Sequence, residues 1–203
     1  EKCTFCVPSV KFLGTVVSSN GLITDTDRIK SVVEWQAPCT KKELQSFLGF
    51  ANYLRKFVEN YSEITVPLHN LTRKDTPYIW STECQTAFDS LKTAIASAPV
   101  LIHPNPQLPF WVETDASDFA LGCVLSQEDP DGNLCPCAFY SRGLNPAERN
   151  YPIYEKELLA IKVAFEEWRH YLEDAPHLIT VLSDHKGLEF FTNAKAVNQR
   201  HAP

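Results

Sequence analysis

Hydrophobic and polar positions alternate with two different periods along this chain. Residues 10–24, "VKFLGTVVSSNGLIT", are β-branched and apolar around a Ser-Asn-Gly turn, which predicts a hairpin. "TDTDRIKSVVEW" then opens a short helix, with Asp25 to Asp27 as N-cap candidates and Ile29, Val32 and Val33 as its apolar face. Thr40-Lys-Lys-Glu43 has the form of a capping box. Behind it Leu44, Phe47, Leu48, Ala51, Leu54, Phe57, Val58 and Tyr61 recur at three and four, predicting one long helix whose stripe packs into a core. A third helix follows "IWST", with Phe88, Leu91 and Ile95 inward. It stops before "SAPVLIHPNPQLP", whose prolines interrupt helix and strand alike and mark a domain boundary near residue 108.

Beyond that boundary the period changes. Strands are expected at 109–115, 119–126, 134–141 and 178–183, with a long helix at 152–172 inserted before the last. Asn145-Pro-Ala-Glu148 reads as a cap-like turn ahead of it. Three strands, a helix and a further strand make an α/β layer. The fold class expected is therefore α/β, a mostly helical module followed by a mixed sheet with a packed helix.

Charge divides along the same line. Residues 1–108 hold 11 Lys/Arg against 10 Asp/Glu, a net +1, whereas 109–203 hold 8 against 15, a net −7. Such an acidic half meets a polyanion only with divalent cations in between or a basic partner segment elsewhere. No apolar run approaches the ~18 residues of a membrane span, which excludes a membrane protein of that type. The N-terminus lacks the apolar stretch of a signal peptide. With no Met anywhere, the chain reads as a piece of something longer. Seven cysteines, an odd number, fit reduced thiols better than a disulfide framework. Cys3-x-x-Cys6 and Cys135-Pro-Cys137 are too far apart and too unevenly spaced to favour a shared zinc site.

Three acids stand out against this pattern. Asp115 ends the first strand of the second half, on the face of Trp111 and Glu113 and opposite Phe110, Val112 and Thr114. Its ordinary role would be to start a turn. On the long helix, Leu158, Ile161, Phe165, Trp168 and Leu172 form the apolar stripe. Glu157 projects roughly 60° from its centre, whereas Glu155, Glu166 and Glu167 fall about 100° to 140° away on a solvated face. Asp184 ends "LITVLSD" much as Asp115 ends its own strand. If the two strands are parallel neighbours, both aspartates reach one sheet edge, and the helix can bring Glu157 there. Three converging carboxylates repel unless a cation sits among them, and an oxygen-only set suits Mg²⁺ or Mn²⁺. Two such ions support phosphodiester hydrolysis.

The phrases "FLGTVVSSNGLITDTDRIKSVVEW", "KKELQSFLGFANYLRKFVENYS", "PLHNLTRKDTPYIWSTECQTAFDSLKTAIASAPVLIHP", "VETDASDFALGCVLSQ", "AFYSRGLNPAERNYPIYEKELLAI" and "SDHKGLEFF" occur in order over essentially the whole chain. This series resembles the Pol polyprotein of gypsy-class LTR retrotransposons. The resemblance implies that residues 1–108 are the end of a reverse transcriptase palm with its thumb and connection-like region. Phe12, Leu13 and Gly14 then fall at the primer-grip hairpin. It further implies that 109–203 are a ribonuclease H-like domain, truncated at its C-terminus, that hydrolyses the RNA strand of RNA/DNA hybrids. The family's metal-binding acids map onto Asp115 in "TDAS", Glu157 in "EKELLA" and Asp184 in "SDH", the same three reached from pattern.

The resemblance also implies two Mg²⁺ (or Mn²⁺) ions, hybrid and primer-template partners, and an upstream polymerase domain that carries the polymerase's own carboxylates. A fourth acidic metal ligand would lie past Pro203. The expected location is the cytoplasmic virus-like particle of a retroelement, with the nucleus as second compartment. Ser117, Arg142 and His185 are candidates for touching nucleic acid, although Ser117 and His185 also suit plain capping and Arg142 plain solvation. Lys41, Lys42, Arg55 and Lys56 would either line a nucleic-acid face or solvate a helix. Two other readings share the sequence: a nucleic-acid-binding fragment that cuts nothing, and a domesticated retroelement-derived interaction protein.

Overall fold

The computed structural model describes residues 7–184 and is a mixed α/β structure. Its first element corrects the hairpin to a three-stranded antiparallel meander: β1 (Ser9–Phe12), β2 (Thr15–Ser18) and β3 (Gly21–Thr24). The extra turn is made by Leu13 and Gly14, both at positive φ (48° and 76°). Turns of that hand match strand twist, and the apolar composition of "KFLG" hid it. At the second turn Gly21, at φ 129°, leaves no space for a Cβ because the Leu101 carbonyl lies there. Leu22 and Leu101 exchange backbone hydrogen bonds of 2.7 and 2.9 Å.

α1 (Thr26–Val33) begins as expected, with the Asp25 carboxylate accepting from the Asp27 N–H. Only Val32 of its apolar residues is fully buried; Val33 is 48% exposed, contrary to the pattern. α2 (Lys41–Tyr53) has its capping box, although Glu43 reaches back one residue further than expected, to the N–H of Cys39. The single long helix read from Leu44 to Tyr61 is in fact three pieces. α2 ends at Tyr53 with Leu54 as its C-cap, a 3₁₀ turn covers Arg55–Phe57, and α3 spans Tyr61–Ile64. Asn60, at φ 50°, is left-handed and cannot lie within a right-handed helix. The stripe residues are nonetheless buried, and all but Phe57 belong to one core cluster. α4 (Val66–Thr72), which periodicity missed, carries proline in its first turn, and α5 (Thr82–Ala96) is capped by Ser81. At the centre of this helical module, Phe47 meets Trp35 at 5.6 Å and Phe88 at 4.6 Å between ring centroids.

The second sheet has the order β6-β5-β4-β7. β4 (Trp111–Ala116), β5 (Ala120–Glu128) and β6 (Leu134–Gly143) are antiparallel, and β7 (Thr180–Leu182) lies parallel to β4. α6 (Ile153–Glu167) crosses one face, and α7 (Arg169–Leu172) follows a break at Trp168, so the expected helix at 152–172 is two. The apolar stripe is displaced in part, since Trp168 and Leu172 are buried as expected. Ala160, Val163 and Ala164 face inward, while Leu158, Ile161 and Phe165 are half-buried at the flanks. Small residues let the helix approach closely enough for the Cys123 thiol to contact the Ala160 carbonyl at 3.6 Å. Asn145 does not cap α6. Its side chain accepts from the N–H groups of Ala147 and Glu148 in a separate turn that leads into a 3₁₀ segment at Glu148–Asn150.

The two parts touch directly. The Ser62 N–H donates to the Ser141 hydroxyl at 2.9 Å, and Gly122 lies against the side chain of Asn60. Between them, the fully buried Gln127 donates to the carbonyls of Asn105, Leu108 and Pro109 and accepts from the Asn105 N–H. No helix among the described residues is long and apolar enough to cross a membrane.

Because Phe47 is fully enclosed between two rings, Phe47→Ala is expected to cost about 3–5 kcal/mol of unfolding free energy, read as a lower urea midpoint.

Candidate metal centre

Strand register places two of the acids side by side. β4 and β7 pair through Glu113 and Leu182, and Asp115 and Asp184 each lie two residues beyond that pair. Along β4 the buried side chains are Val112, Thr114 and Ala116, so Asp115 faces away from the helix-covered core, as alternation predicts. α6 supplies the third acid. Glu157 is 2% exposed, and one carboxylate oxygen from each of Asp115, Glu157 and Asp184 lies within 4.8 Å of the others.

The electrostatics follow from that grouping. Glu157 is pushed up to about 7, first by burial and then by the charges of Asp184 and Asp115. Two donors act the other way: the Ser183 hydroxyl at 3.4 Å and the Ala116 N–H. An all-oxygen donor set with excess negative charge fits a hard divalent cation and does not fit zinc. Asp115 and Asp184 open onto a cleft of about 490 Å³, whose walls also include Glu113, Ser183, Glu59 and Asn60.

Angular projection underestimated one end of α6. Glu155, expected in solvent, is 6% exposed, and Lys156 and Glu157 beside it are buried too. Three consecutive buried residues cannot come from one stripe; the first turns of the helix are enclosed on several sides. The Lys156 ammonium pairs at 2.7 Å with Asp118, tying α6 to the β4–β5 turn. Asp118 is held below the usual carboxylate range by that bond. Nothing in the spacing identified Lys156. Gly122 had a signal, since a glycine inside a strand marks close approach by another chain segment.

The remaining candidates are scattered. Ser117 is occupied in the β4–β5 turn, accepting from the N–H groups of Phe119 and Ala120. Arg142 is bound through two nitrogens to Glu148 at 2.8 and 2.9 Å. Phe12 and Leu13 are 64% and 68% exposed at the meander tip. There the Tyr53 hydroxyl donates to the Leu13 carbonyl, and the Arg28 guanidinium covers Gly14. Lys41 donates to the carbonyls of Arg73 and Thr76, and Lys56 lies 5.0 Å from the Phe57 ring. Cys137 is buried and Cys135 partly so. His185 and the Cys3–Cys6 pair lie outside the described residues.

Residues 80–181 match the family described as the RNase H-like domain found in reverse transcriptase. The chain belongs to that family. It is 40% identical over 187 residues to the Transposon Tf2-3 and Tf2-4 polyproteins of Schizosaccharomyces pombe, an overlap of 92% of this chain but 14% of each relative. Its fold is also similar to part of the foamy viral protease-reverse transcriptase. The structure of that enzyme in complex with dsDNA has a TM-score of 0.73 and 25% identity, covering 95% of this chain and 41% of that one. The structure in complex with an RNA/DNA hybrid has a TM-score of 0.69 and 25% identity, covering 95% and 27%. The chain is thus a segment related to retrotransposon polyproteins, with the RNase H-like domain of a reverse transcriptase.

A carboxylate whose folded pKa is raised above its unfolded value takes up protons on folding between the two. Without metal, the Glu157 contribution therefore favours the fold at low pH and is lost as pH rises from about 4.5 to about 7. In EDTA the melting temperature should fall across that window more steeply for the wild type than for Glu157→Gln. Parallel curves would contradict the assignment.

Proposed function

We propose that this chain is part of a gypsy-class LTR-retrotransposon Pol, and that its RNase H-like portion hydrolyses the RNA strand of RNA/DNA hybrids. The observation that carries this reading is the convergence of Asp115, Glu157 and Asp184 within 4.8 Å at the end of two parallel strands. These three residues would hold Mg²⁺ or Mn²⁺, two ions in all. The cations would supply charge stabilisation for hydrolysis of the phosphodiester.

The protein's own contribution is placement. Asp115 projects from β4 and Asp184 lies two residues past the end of its parallel neighbour β7, while Glu157 is buried and becomes an anion readily only when positive charge compensates its neighbours. The Ser183 hydroxyl orients its carboxylate. Recognition of the hybrid would rest on backbone shape and 2′-hydroxyls, since hydrolysis of arbitrary transcripts cannot depend on sequence. Phe12, Leu13 and Gly14, at an exposed tip, suit contact with a primer strand. In this reading the nuclease portion starts near residue 109, the polymerase domain lies upstream, and the particle of the element is the working location. Ser117 and Arg142, both engaged within the protein, would serve nucleic-acid binding indirectly.

The test is cleavage of an end-labelled RNA/DNA hybrid in Mg²⁺ or Mn²⁺. Asp115→Asn should reduce the rate by more than about a hundredfold while leaving the melting temperature in EDTA no lower than that of the wild type. Equal cleavage by both proteins would place the chemistry elsewhere. Salt-dependent hybrid binding with no cleavage, even after C-terminal extension to a full nuclease domain, would instead support a binding fragment.

A further inference from the structure

A cleft meant for a polyanion is lined here without a single Lys, Arg or His among its described residues. Cations would answer the phosphates near the three acids, but the opposite wall has to offer neutral donors. Of the neutral donors lining the cleft, the Ser183 hydroxyl is given to Glu157, and the Thr114 hydroxyl, although unpartnered, is fully enclosed and out of a ligand's reach. Asn60 is different. It comes from the helical module, is half-buried, and its side-chain amide has no hydrogen-bond partner among the described residues.

Its position is tightly determined. Asn60 sits at φ 50°, immediately before α3, with its carbonyl accepting from the N–H groups of Glu63 and Ile64 at 3.0 and 3.1 Å. Its Oδ1 rests on Gly122, where any Cβ would collide with it. Gly122 is the register partner of Asp115 on the neighbouring strand, about 4.8 Å away. One residue pair further across the sheet, Ser141 is the partner of Gly122 and receives the Ser62 N–H. With its oxygen lying against Gly122 and no hydrogen bond within the protein, the amide is left for whatever occupies the cleft.

We propose that Asn60 contacts the substrate, its NH₂ donating to an oxygen of the RNA strand's ribose–phosphate backbone beside Asp115, with Gly122 as the seat that aims it. This rests on the nuclease reading above and extends it: the helical module becomes one wall of the cleavage cleft.

The experiment measures hybrid affinity by fluorescence anisotropy, Mn²⁺ affinity and melting temperature for the wild type, Asn60→Gly, Gly122→Ala and the double variant. Glycine accepts φ 50° without strain, so Asn60→Gly removes the amide and spares the turn. It should weaken hybrid binding about five- to tenfold, one hydrogen bond's worth, with Mn²⁺ affinity unchanged. Gly122→Ala should weaken hybrid binding at least as much when Asn60 is present. Added to Asn60→Gly it should have no further effect, because the new methyl then has room. A matching DNA duplex separates the acceptors: equal loss on both duplexes assigns the donor to phosphate, and a loss confined to the hybrid assigns it to the 2′-hydroxyl. Unchanged hybrid affinity in Asn60→Gly overturns the proposal, as does an equal Gly122→Ala penalty with and without the Asn60 side chain. Either result beside intact wild-type cleavage leaves the nuclease reading standing. A wild-type chain that neither binds nor cleaves hybrid removes both.

Discussion

Parallel pairing of β4 with β7 covers three residue pairs, yet the arrangement of the candidate centre depends on it. Parallel neighbours run in the same direction, so residues at equal distances past the last pair emerge at the same height. An antiparallel β7 would have sent Asp184 to the opposite edge from Asp115. Parallel strands also require a crossover, and the crossover here includes α6, which is how Glu157 arrives from a different element at the same place. Register, connection and helix placement together concentrate three negative charges where isolated side chains would avoid one another. That tension is visible in the raised pKa of Glu157, the buried member of the group.

How much of this was legible in the sequence depends on range. Period-two alternation correctly assigned Asp115 to the face opposite Val112 and Thr114, whereas the parallel pairing of its strand with the one before Asp184 entered only as a condition, which the sheet meets. Glu157 was distinguishable from Glu166 and Glu167 by angle alone, because those two remain on the exposed side of a regular helix. Angle failed at Glu155 and Lys156, where burial comes from several elements meeting at one helix end. It also failed for Leu158 and Ile161. A sheet accepts the smallest residues of a helix at closest approach, so Ala160 and Ala164 displaced the larger side chains that hydrophobicity favoured. The break at Asn60 was invisible for a related reason. Apolar spacing continued through it because residues on both sides of the break, from Leu44 to Leu54 and at Val58 and Tyr61, fill the same core.

Cross-module geometry was the least readable. Asn60 on Gly122 and Ser62 on Ser141 join residues far apart in the chain, and neither pair has a local signature beyond a glycine within a strand. The Ser62–Ser141 hydrogen bond adds little net stability but penalises other arrangements, since its donor is unmet if the modules shift, and the close fit of Asn60 on Gly122 penalises them sterically. The contact surface therefore acts as a register mark between the two parts of the molecule.

The segment from Leu101 to Pro109 carries the implication furthest. One end is bonded into β3 through Leu22, and the other is gripped by the four hydrogen bonds of Gln127, itself rooted in β5. A connection held at both ends is a strut, with almost no slack to act as a tether. A residue gained or lost within it would be absorbed by moving one sheet relative to the other, and the opening of the cleft would change with it. Sequence length in this proline-rich stretch is thus a dimension of the molecule, set by the distance it has to bridge.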